Sequence, residues 1–278
     1  MKLFQYHGMS NDIRVGAMTE NGPVAFPSLI KMKDLLGLND ASLKELMAKE
    51  VMVPLKQEDI KFAPVVTDPE KILCIGLNYD EHINETKLET KPGFPPVFSK
   101  FANALAGHKG IVHLPKKAVQ FDYEAELVIV IGKDCKNVDK ESAPDYIGGY
   151  TAGNDVSARD MQFASSQWTM GKACDDFAPV GPYIVTADCL DPADLAISCS
   201  VNGEKRQDSR TCKMIYSCAE IVSYLSSFIT LKKGDLIFTG TPSGVVLGKE
   251  ESAREWLKAG DVVAVEIEGI GTLENTLE

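Results

Sequence analysis

The sequence predicts a strand-rich α+β fold. Short β-branched runs recur along most of the chain, helical spacing is confined to a few stretches, and Gly and Pro turns separate them. A doubly wound sheet would need regular alternation of strand and helix. That alternation is missing, and so is the G-x-G-x-x-G fingerprint.

Residues 1–65 are predicted to form a small N-terminal α/β domain. LFQY and IRVGAM are strands about the polar turn SND. SLIKMKDLLGLNDASLKELMAKEV carries leucine and methionine at helical spacing. The polar stretch Lys56 to Ala63, followed by Pro64, marks the boundary.

Residues 66–278 are predicted to form one larger, strand-rich unit. KILCIGL is too short for a free-standing helix and is assigned as a buried strand. DEHINETKLE follows as a helix. FDYEAELVIVIGK is the clearest strand, its β-branched run ending at Gly132. YIGGYTAGNDV is strand and loop. MIYSCAEIVSYLSSFITL places Ile215, Ala219, Val222, Leu225 and Ile229 on one helical face. DLIFTG is a further strand. VVAVEIEGIGTLENTL gives two more about a Gly-containing turn.

The 278 residues are 44% hydrophobic and 25% charged, ordinary for a globular protein with a sizeable core. The net charge of -11 disfavours nucleic acid as a partner. Seven scattered cysteines without a C-x-x-C pair fit a reducing cytoplasm. No signal-peptide h-region and no membrane-spanning apolar run is found, so a cytoplasmic location is expected.

Chemistry concentrates in five places. In Asp122-Tyr123-Glu124-Ala125-Glu126, period-two alternation puts Asp122, Glu124 and Glu126 on one strand face. Like charges entering an apolar run repel, unless a hard cation lies between them. The other interpretation is a solvated sheet edge. Asp155, at the end of a strand, can turn into a pocket or serve a turn. Ser157 and Asp160 after it resemble a capping box.

Three carboxylates without clustered His or Cys suit Mg2+, Mn2+ or Ca2+ over zinc. His82 and Glu85, three apart on a helix, share a face, so Glu85 can orient His82 as a base. A plain charged helix is the alternative. Lys172, in the Gly/Pro-rich GKACDDFAPVGP, is an oxyanion partner or a surface lysine. The turn Thr239-Gly240-Thr241-Pro242-Ser243-Gly244 can bring backbone N–H groups to an anion or be a simple tight turn.

The succession DYEAEL, GYTAGNDVSARDMQ, GKACDDFAPVGP and FTGTPSGV resembles the fumarylacetoacetate hydrolase family, from about Lys71 to the C-terminus. The resemblance is to the bacterial type with a short N-terminal domain. It implies a mixed β-sandwich roll, usually a homodimer. Glu124, Glu126 and Asp155 match the family's metal ligands, and Lys172 the lysine beside the metal. LNYDEHINE resembles the lid segment, which places His82 and Glu85 at the catalytic dyad. Arg159, Gln162, Thr241 and Lys100 match positions near the substrate.

The resemblance further implies a small 2-keto or 2,4-diketo acid substrate and Mg2+ or Mn2+ as cofactor. The leading expectation is hydrolysis of a carbon–carbon bond in an acylpyruvate, with His82 activating water. Oxaloacetate decarboxylation and hydroxymuconate-type isomerisation are the alternatives, and a non-catalytic 2-keto acid binder the last.

Overall fold

The computed structural model describes residues 1–86 and 95–278. The helical assignment for DEHINETKLE therefore covers the helix Asp80–Thr86, and its last three residues lie outside the described part. So does most of KPGFPP.

Among the described residues, eleven strands share one sheet. At its centre Ala125–Ile131 pairs antiparallel with Ile147–Asn154 on one side and with Leu236–Phe238 on the other. Ile72–Ile75 joins Leu236–Phe238 in parallel. On the far side Ala178–Thr186 pairs with Ile147–Asn154 and then with Lys2–His7, so the N-terminal hairpin continues this sheet. Five further strands, including Val262–Ile267 and Gly271–Leu277, form a second sheet. The class is strand-rich α+β, as the sequence predicts.

The central strand shows why its residues lie where they do. Leu127, Ile129 and Ile131 face the core shared with the second sheet, while Val128 and Val130 face the core shared with the N-terminal segment. Burial on both faces explains an apolar run without polar alternation. Glu124 and Glu126 continue the even-numbered row of Val128 and Val130. The pleat thus carries two carboxylates to the end of a core.

Several local expectations are corrected. The N-terminal helical stretch is two helices, Met32–Leu35 and Asp40–Lys49. Gly37 (φ +83°) breaks it and Asn39 caps the second, its side chain accepting from Ser42 N. Ser157 and Asp160 form no capping box. Ser157 lies in a two-residue strand, and the Asp160 side chain accepts from Val119 N. Lys172 ends the short helix Thr169–Lys172 and does not lie in a loop. APVGP belongs to the nine-residue strand Ala178–Thr186.

Ile215 precedes the helix Cys218–Phe228, whose buried stripe is Cys218, Ile221, Val222, Leu225 and Ser226. This helix opens on a capping box between Ser217 and Glu220. Lys140 and then Ser217 hold the Glu220 carboxyl down at about 2, from an ordinary 4.5. A depressed folded-state value stabilises above the unfolded value and is lost as pH falls through the folded one. Glu220→Ala is therefore expected to cost ~1 kcal/mol at neutral pH in urea unfolding, set by loss of the capping box because solvent screens the Lys140 pair. The difference from wild type should shrink between pH 4.5 and about 2.

Candidate metal centre

Glu124, Glu126 and Asp155 each offer a carboxylate oxygen, and these oxygens lie within 4.8 Å of one another. All three residues are buried. Glu126 comes from the central strand. Glu124 sits just before that strand, where its N–H donates to Asn154 Oδ1 at 3.0 Å. Asp155 follows the neighbouring strand, its N–H donating to Glu124 O at 2.9 Å.

Three buried cations surround them. Lys172 Nζ donates to Glu124 Oε2 at 2.6 Å and to Asp155 Oδ2 at 2.8 Å. Arg159 Nη2 donates to Glu124 Oε1 at 2.7 Å. Lys100 Nζ lies 2.6 Å from Asp155 Oδ1, but its hydrogen bonds are aimed at the carbonyls of Val156 and Phe177. Asp155 Oδ1 is consequently left without a directed hydrogen bond.

The electrostatics are uneven. Burial pushes the Glu124 carboxyl up, but Lys172 and Arg159 outweigh it and hold that group well below the usual carboxylate range. Glu126 goes the other way. Burial, then the charges of Asp155 and Glu124, push it well up, and the Gly240 N–H at 2.7 Å offsets little of this. Gly240 (φ +98°) is needed here, because a Cβ would lie 2.7 Å from Asn78 Cβ. The turn's anion is thus this glutamate.

A divalent ion fits this donor set. The ligands are all oxygen, one buried oxygen lacks a directed donor, and one carboxyl is burdened by its like-charged neighbours. Within the site, the buried carboxyl groups of Asp122, Glu124, Glu126 and Asp155 face three cations, Lys100, Arg159 and Lys172. That imbalance favours a further positive charge.

The remaining predicted residues meet at the same place. A narrow cavity of about 20 Å³ is lined by the three carboxylates, His82, Arg159, Gln162, Lys172 and Thr241. His82 Nδ1 lies 2.9 Å from Glu85 Oε1, and Glu85 Oε2 accepts from Gly244 N at 2.9 Å. Arg159 is tied to protein at all three nitrogens: besides the Nη2 bond to Glu124, Nε donates to Asp122 and Nη1 to Gln162, both at 2.9 Å. The Thr241 hydroxyl donates to Ala125 O and accepts from Gln207 Nε2.

Other residues of the site escaped the sequence reading. Phe98 and Trp168 stack edge to face at 5.3 Å between centroids, and Lys172 Nζ lies 5.2 Å from the Phe98 ring centre. Both aromatics line the cavity. Gln207, in the polar strand Glu204–Arg210, is buried and also accepts from Ala125 N. Only the aromatic character of Phe98 and Trp168 hinted at a wall; Gln207 gave no signal.

Residues 71–278 match the family described as fumarylacetoacetate (FAA) hydrolase C-terminal. The chain belongs to the fumarylacetoacetate hydrolase family. Within it, a fumarylacetoacetate hydrolase domain-containing protein 2 homolog of Dictyostelium discoideum is 42% identical over 287 residues, covering 95% of this chain and 92% of that one. Oxaloacetate tautomerase fahd2, mitochondrial, of Xenopus laevis is 39% identical over 290 residues, covering 99% and 89%. The crystal structure of 5-carboxymethyl-2-hydroxymuconate delta-isomerase from Mycobacterium smegmatis gives a TM-score of 0.81 at 32% identity, covering 100% of this chain and 99% of that one. This is an enzyme family acting on small keto acids. Among the described residues no helix is long and apolar enough to cross a membrane.

Proposed function

We propose that the chain moves a proton at the carbon beside the keto group of a small 2-keto acid, an oxaloacetate-type keto–enol interconversion. The carrying observation is one oriented base, His82 held by Glu85, beside a buried triad suited to a divalent ion. The 39% identity to an oxaloacetate tautomerase over nearly the whole chain supports the same chemistry.

Glu124, Glu126 and Asp155 would hold Mg2+ or Mn2+. When bound, the ion supplies Lewis acidity that acidifies the carbon beside a keto group. Glu85 holds His82 Nδ1–H and leaves Nε2 to take that proton. The C–H electron pair moves into the adjoining carbon–carbon bond, and the keto oxygen gains the charge. Lys172 is kept protonated because Asp155 and Glu124 outweigh its burial, so it can donate toward that oxygen. Returning the proton to oxygen completes the enol.

Hydrolysis of a 2,4-diketo acid is the second reading, favoured by the same His82–Glu85 pair, which could equally activate water. Exposed apolar Phe101, Val119, Phe163 and Met170 support the homodimer, and seven unpaired cysteines support the cytoplasm, as further parts of the proposal.

Two assays separate the readings. Oxaloacetate enol decay is followed by ultraviolet absorbance with EDTA and with Mg2+, and pyruvate release from oxaloacetate and from acetylpyruvate is measured in parallel. Enol decay without pyruvate is expected. Pyruvate from acetylpyruvate at a comparable rate would instead select hydrolysis. His82→Ala should slow interconversion about a hundred- to ten-thousandfold while leaving Mg2+ affinity unchanged. An unimpaired His82→Ala enzyme would remove His82 from the chemistry.

A further inference from the structure

Asp122 does not lie on one continuous strand with Glu124 and Glu126, as the sequence suggests: it ends the separate two-residue strand Phe121–Asp122, which pairs with Ser157–Ala158, is fully buried, and lies outside the triad. Its Oδ1 accepts from the N–H groups of Tyr123 and Val246, both at 2.9 Å. Its Oδ2 accepts from Arg159 Nε at 2.9 Å and from Leu247 N at 3.0 Å, with Arg159 Nη2 also 2.9 Å away. That same Nη2 is the donor to Glu124 Oε1. One guanidinium is therefore shared between Asp122 and a carboxylate of the triad.

We propose that Asp122 is a positioning residue that sets the divalent-ion affinity of the site, an inference that rests on the ion-binding reading above. Two physical effects act together. Asp122 draws part of the Arg159 charge away from Glu124, leaving Glu124 a better ion ligand. Without that draw, the whole attraction of the guanidinium falls on Glu124 and competes with an ion for its oxygen. Asp122 also ties down the backbone of Val246 and Leu247. Gly244, two residues earlier, supplies the N–H that holds Glu85 and through it His82. A single carboxylate thus joins the ion side of the site to the base side. A role limited to satisfying buried N–H groups would lower the melting temperature and leave ion affinity of the folded protein untouched.

The test is Mn2+ binding to EDTA-stripped protein, read from the electron paramagnetic resonance of free Mn2+. Asp122→Asn keeps the shape and removes the charge. Folded D122N is expected to bind Mn2+ about tenfold more weakly than wild type, or weaker still. A smaller loss overturns the assignment. Should D122N fail to fold, Arg159→Lys decides, because it keeps the charge and loses the shared fork. The same weakening is expected of R159K, and unchanged affinity overturns the assignment. Wild-type protein that binds no Mn2+ would instead overturn the ion-binding reading and this inference with it.

Discussion

Glu126→Gln is expected to weaken divalent-ion binding strongly while making the ion-free protein more stable. The carboxyl of Glu126 is buried and pushed up by burial and then by Asp155 and Glu124. An amide removes that like-charge burden and can still accept from Gly240 N, 2.7 Å from Oε2. In EDTA the variant should unfold at higher temperature, by roughly 2–4 °C for a gain on the order of 1 kcal/mol. Mn2+ affinity should fall at least about a hundredfold, because a direct ligand matters more than an outer one. Activity follows the ion. A variant that is both less stable in EDTA and unchanged in Mn2+ affinity would contradict an ion site at this carboxylate. The opposed signs mark a functional site, where stability is surrendered for binding.

Lys172→Met should show the reverse. Lys172 Nζ holds Glu124 at 2.6 Å and Asp155 at 2.8 Å, and its side chain is 2% exposed. Methionine keeps the stem beside Phe98 and leaves both carboxylates short of a cation. Breaking a buried pair in this way costs about 3–5 kcal/mol, which urea unfolding in EDTA would read. Saturating Mg2+ should return part of it, about 2.7 kcal/mol at one hundred times the dissociation constant. Catalysis should stay impaired, since the donor to the keto oxygen is gone. Equal stability of K172M and wild type in EDTA would mean that the lysine does not hold the triad together.

The legible parts of this chain are those in which a short-range period carries the information. Glu124 and Glu126 share a face because strand side chains alternate, and Val128 and Val130 continue their row into the core. His82 and Glu85 meet because helical residues three apart are neighbours. The strands around LVIVI and DLIF were legible from their β-branched content.

What stayed hidden depends on distant contacts. Ala178–Thr186 contains Pro179, Gly181 and Pro182 and so suggests a loop. It is accommodated as a strand where its pairing with Ile147–Asn154 shifts register between Tyr150 and Ala152. Glu204–Arg210 has no apolar alternation, yet buries Gln207 and Ser209 against the rest of the fold. Ile215 has the helical spacing but lies before Ser217, whose side chain starts the helix two residues later. Burial of Lys172 and Lys100 follows from where Glu124 and Asp155 fall in three dimensions. No local pattern separates them from surface lysines.

The most direct measurement is anomalous scattering from crystals grown with Mn2+ and oxalate. A single strong peak is predicted among Glu124, Glu126 and Asp155, with oxygens from all three at about 2.0–2.2 Å. Contradiction would be a triad with no peak, Lys172 still bridging Glu124 and Asp155, and manganese found elsewhere or nowhere.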